Sequence, residues 1–114
     1  MKTSYLKQKG RSLQQWVVRL ILKAFDLEPD DVRSTPMGVS GPDVQLSPRA
    51  KLLFPYSVEC KNTERFNMWQ AYKQASDNSG GYEPCVFVKR NHHKPLAVVD
   101  AEHFIGVISE QNDI

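Results

Sequence analysis

Apolar side chains recur along the first third of the chain at Trp16, Val17, Leu20, Ile21, Ala24 and Phe25, the i, i+3, i+4 spacing of an amphipathic helix. With Ser12 as N-cap, the pattern predicts helix one over 12–26. From Asp30 to Pro42 the periodicity gives way to Asp, Ser, Gly and Pro, which leaves room for one short strand around Val32 to Ser34. Asp43 to Leu46, a turn at Ser47-Pro48-Arg49, and Lys51 to Lys61 read as a strand hairpin, with Pro55 at an edge or bulge. Helical spacing returns in Phe66, Trp69, Ala71, Tyr72 and Ala75, so a second helix capped by Thr63 is expected to run to Ser76 and to end at Asn78-Ser79-Gly80-Gly81. On this spacing Trp16, Phe66 and Trp69 belong in the core. Pro84 to Lys89 and Leu96 to Val99 form a second hairpin with a basic tip, and Asp100 caps a last helix from Ala101 to Ile108. The order is helix, three strands, helix, two strands, helix, which is an α/β fold.

Length makes this one domain over residues 1–114, large enough for a core but with no room for a second. A basic arm over 1–11 and a frayed tail over 109–114 are expected at its ends. No apolar run approaches the roughly 18 residues of a membrane span, and Met1 to Gly10 are too polar for a secretory signal. Cys60 and Cys85 lack the spacing of a disulfide framework or zinc site, so a reducing, cytoplasmic setting is expected. The net charge of only +2 conceals segregation: residues 1–25 carry Lys2, Lys7, Lys9, Arg11, Arg19 and Lys23 with no acid, and Lys89, Arg90, His92, His93 and Lys94 form a second basic group. Such patches suit a polyanion, because neutralising phosphates releases condensed counterions.

Candidate chemistry gathers where strand alternation meets a turn. If 57–61 is a strand, Glu59 and Lys61 share one wall while Val58 and Cys60 face a core. Asp43, after Pro42, would bring a second carboxylate beside them. Two carboxylates and a lysine are the set that binds a hard divalent cation and activates water for phosphodiester cleavage.

Pro42-Asp43 and Glu59-Cys60-Lys61, bracketed by helices of this type and order, resemble the PD-(D/E)XK nuclease superfamily, and within it the small phage and archaeal Holliday junction resolvase-like endonucleases. Trp69 with Gln74-Ala75, and Lys9-Gly10 with Gln14, resemble further features of those proteins, although Gln14 or Gln15 stands where the first helix usually offers a glutamate. The resemblance covers nearly all of residues 9–107. It implies a restriction-endonuclease-like core, a mixed central sheet flanked by helices in αβββαββα order. It implies a Mg2+-dependent endodeoxyribonuclease, with Asp43, Glu59 and the Cys60 carbonyl holding Mg2+ or Mn2+, Lys61 orienting the attacking water, and Gln14 and Gln74 completing the site. The expected partner is branched or distorted DNA, cut by a homodimer and contacted through Lys7, Lys9, Arg11, Ser12, Lys51, Arg65, Lys89 and Arg90. Two alternatives stand beside it: a nicking or general phage nuclease without junction preference, and a non-catalytic DNA-binding module of the same fold.

Overall fold

The computed structural model describes residues 2–112. Helix α1, Lys2–Ala24, buries Leu13, Val17 and Ile21, which recur every four residues and so lie along one stripe. It starts ten residues before the expected boundary. Lys, Leu, Gln and Arg favour helix and outnumber the weaker formers Thr3, Ser4, Tyr5 and Gly10, and the basic arm is the first turns of α1 rather than a separate segment. Ser12 consequently sits inside the helix and does not cap it. The chain leaves α1 through Asp26, whose φ of 52° is a left-handed conformation that Asp tolerates better than most residues.

After a 3-10 turn at Pro29–Asp31 come two short antiparallel strands, β1 (Val32–Ser34) and β2 (Val44–Leu46), with Val32 opposite Leu46 and Ser34 opposite Val44. Pro48 does not make the expected turn. Ser47 accepts the Ala50 N–H at 3.1 Å and Pro48 takes the first helical position, the combination that starts a helix, so α2 spans Pro48–Leu53. Asp31 holds that corner, accepting the Ser47 hydroxyl at 2.6 Å while its carbonyl accepts the Ser47 N–H.

The second sheet runs β3 (Tyr56–Asn62), β4 (Glu83–Lys89) and β5 (Leu96–Val98), with β3 and β4 parallel and β5 antiparallel to β4. Parallel neighbours need a crossover, supplied by α3 (Met68–Asp77). Asn67, not Thr63, caps α3, accepting the Gln70 N–H at 3.1 Å, while the Thr63 hydroxyl donates to the Arg65 carbonyl. One sheet face packs Val58, Cys60, Cys85 and Phe87 against α1; the other packs Val86 against Ala71 and Ala75 of α3. The fold is thus mixed α/β, built on small sheets.

Helix α4, Ala101–Gln111, is capped by Asp100 as expected but continues past Ile108 through residues assigned to the frayed tail, whose last two lie outside the described residues. It buries none of its side chains fully and is held by the Tyr56 hydroxyl bonded to His103 Nε2 at 2.6 Å. The placement of the large aromatics corrects the sequence reading: Trp69 is 83% exposed because Ala71 and Ala75 are the residues that α3 turns to the sheet, and Trp16 on α1 and Phe66 in the loop before α3 are also exposed. No described helix is long and apolar enough to cross a membrane.

Candidate nucleic-acid interface

Strand alternation sets Glu59 and Lys61 on the α3 face of β3, alongside Val86 and Val88 of β4, while Val58 and Cys60 enter the α1 core. Asp43 reaches this wall from the start of β2. Its N–H donates to the Val58 carbonyl at 2.9 Å and its Oδ2 accepts the Cys60 N–H at 2.7 Å, so Asp43 joins the two sheets.

Glu59 is only 4% exposed and hydrogen-bonds to Asp43; its Oε2 is buried with no hydrogen-bond partner. Burial first, then the neighbouring Asp43 charge and the bond to Asp43, push its carboxyl up to about 8, with Lys61 opposing. The raised Glu59 carboxyl lowers the negative charge this wall carries near neutral pH. Lys61 Nζ donates to Gln74 Oε1 at 3.3 Å, and Gln14 Oε1 accepts the Ser34 hydroxyl at 2.6 Å. The Cys60 and Cys85 thiols are pushed up by burial, which keeps them protonated and unreactive.

This donor set does not fit the expected Mg2+ or Mn2+. One Asp43 oxygen is taken by a backbone N–H, and Glu59 is a buried acid whose carboxyl is pushed up. Among the described residues no group of three or more His, Cys, Asp or Glu side chains could hold a metal ion. The reading of a metal-dependent endonuclease, junction-selective or general, is corrected accordingly.

Beside Asp43 the surface opens into a cleft of about 650 Å³ between α1 and the segment 34–39, lined on the helix side by Lys7, Gly10, Arg11, Gln14 and Gln15. A second hollow of about 530 Å³ continues along α1 past Ser4, Gln8 and Ser12 and shares Lys7, Arg11, Gln15 and Met37 with the first. Lys7 and Arg11 are one turn apart and face the same way. Asp43 is the one acid among the lining residues of the two hollows.

The other expected DNA contacts are scattered. The Lys9 side chain is 11% exposed, with its ammonium 3.7 Å from Glu64 and over the Tyr5 ring, on the side of α1 away from the cleft. Lys51 lies over Tyr82 at α2, remote from α1. Lys89 bonds the Arg90 carbonyl at the hairpin beyond β4, and Arg65 is exposed in the loop before α3. Lys61 and Gln74 pair with each other and do not line the cleft. Conversely, Ser34, at the end of the short strand expected around Val32 to Ser34, and Thr35 and Met37, in the loop after it, line the cleft although none was singled out in the sequence. No family model, curated protein or solved structure matches this chain, so nuclease chemistry has no support from a relative.

Proposed function

We propose that this protein is a non-catalytic nucleic-acid-binding module, with DNA as its partner and the cleft along α1 as its binding surface. The observation that carries the reading is the row of Lys7, Arg11, Gln14 and Gln15 along one wall of the cleft: two cations for phosphates, flanked by amide NH2 groups that donate to phosphate or sugar oxygens, with Gln14 held in place by the Ser34 hydroxyl. At 23 residues α1 is about 35 Å long, about the length of one turn of duplex. The resemblance to PD-(D/E)XK proteins supports the choice of polyanion and the restriction-endonuclease-like arrangement as an interpretation of the fold; the reaction is not carried over.

Fluorescence anisotropy with a labelled duplex across a salt series tests this. Wild type should bind with steep salt dependence, and Lys7→Ala with Arg11→Ala should weaken binding to all sequences and reduce the log–log slope by about 2. The duplex should remain intact in Mg2+. An unchanged slope would remove the cleft as the binding surface, and strand cleavage by wild type but not by Glu59→Gln would restore an enzymatic reading.

A further inference from the structure

Most of the cleft is polar, yet the segment that closes it carries Met37, 58% exposed, and Val39, 51% exposed. An apolar side chain held in water at the mouth of a cationic cleft has no packing role in the chain itself. The segment is firmly mounted. At its root the Thr35 N–H donates to the Asp43 carbonyl at 2.9 Å and the Thr35 hydroxyl to the Pro42 carbonyl at 2.6 Å. At its tip the Val39 N–H closes a turn onto the Pro36 carbonyl, and Gly38 and Gly41, with φ of 82° and 111°, take conformations that a residue with a Cβ resists. Met37 is therefore presented rather than loosely tethered. It borders both hollows, beside Lys7 and Arg11 in each.

We propose that Met37 is a wedge that enters the base stack of the DNA held along α1, which makes the module selective for duplexes with an unstacked or easily opened step. The inference rests on the nucleic-acid reading above. Cations that hold the backbone beside an unbranched, polarizable apolar side chain are a combination that suits kinking: phosphate contacts hold the duplex while the wedge separates one base step. Opening a stacked step opposes binding, whereas a bulge or mismatch has already lost that stacking, so the same contacts yield more affinity there. The cationic flanks favour DNA over an apolar pocket on another protein as the recipient of Met37.

The test compares a short duplex with the same duplex carrying a central two-nucleotide bulge, each with 2-aminopurine beside the centre, bound by wild type and by Met37→Ala. Wild type should bind the bulged form about tenfold more tightly and raise the 2-aminopurine emission as the base unstacks. Met37→Ala should bring the preference to within about twofold and abolish the rise. Because Met37 is exposed, the variant is expected to fold, and a matching circular dichroism melt checks this. Equal wild-type affinities for the two duplexes, or a preference that survives Met37→Ala, would overturn the wedge while leaving the binding surface standing. Absence of salt-dependent binding to either duplex would overturn the nucleic-acid reading and the wedge with it.

Discussion

Glu59→Gln removes one ionisable proton from the junction of the two sheets and changes almost nothing in shape. In the wild type, burial and Asp43 raise the Glu59 carboxyl from an ordinary 4.5 to about 8. The folded state therefore binds a proton that the unfolded chain has already released over that interval. Stability must fall as pH rises between the two values, at up to about 1.4 kcal/mol per pH unit. Taken over the full interval the loss would approach 5 kcal/mol by that rule, at the order-of-magnitude level. Local relaxation reduces it, and a loss on the order of 2–4 kcal/mol is expected between pH 5 and pH 8.5. Glutamine is neutral throughout and its amide can still donate to Asp43. Urea denaturation of both proteins across this range should therefore give stabilities within about 1 kcal/mol of each other at pH 5. Above pH 8 the variant should be the more stable one. Using the difference between the two proteins cancels the titration of groups not coupled to Glu59. A difference that is independent of pH, or that favours wild type as pH rises, would refute the claim that Glu59 carries a raised carboxyl.

Asp43→Ala should cost about 1–3 kcal/mol in the same assay because it orphans the buried Cys60 N–H, whereas Asp43→Asn, whose amide oxygen can still accept, should cost much less; equal losses would mean that the bond is not made. Tyr56→Phe should speed hydrogen exchange in α4 while leaving α1 and the β3–β4 pair protected, with a global loss of about 1 kcal/mol, since this hydroxyl is the bond by which His103 holds the helix; uniform acceleration throughout the protein would contradict that local role. Arg11→Ala should lower the salt slope of DNA binding by about 0.9, while Lys9→Ala should leave it unchanged because that ammonium is spent on Glu64 and Tyr5; equal effects from the two would place the DNA elsewhere on α1.

Where one face of an element is buried, the sequence was legible. Glu59 and Lys61 alternate with Val58 and Cys60, and a one-residue slip would have put a charge into the α1 core, so the wall they share could be read without coordinates. The cap at Asp100 and the basic hairpin between β4 and β5 follow from side-chain chemistry confined to a few neighbouring residues. Signals with two outcomes were harder. Ser47-Pro48 suits a turn and a helix start equally, and it became a helix because Asp31, sixteen residues earlier, anchors Ser47. Residues 2–11 form the first turns of α1 without burying an apolar stripe, so periodicity was silent there and only propensity could speak. Trp69 satisfied the helical spacing of a core residue and still faces water, since spacing says which residues share a face and not which face is covered. The cleft depends on a loop folding back to α1, a juxtaposition of Met37 with Lys7 and Arg11 that no local pattern encodes.

Two carboxylates beside a cleft meant for phosphates would oppose its purpose if both were charged. Burial and the neighbouring Asp43 push the Glu59 carboxyl up to about 8, which lowers the negative charge beside the cleft near neutral pH. Asp43 itself lines the cleft, with one carboxylate oxygen held by the Cys60 N–H. Lys7 and Arg11 line the same hollow, and neither makes an ion pair among the described residues. The strand pairing that makes Asp43 the link between the two sheets therefore also fixes where its carboxylate stands relative to the cations. A mutation that freed Asp43 from the Cys60 N–H would weaken the fold and the polyanion surface together.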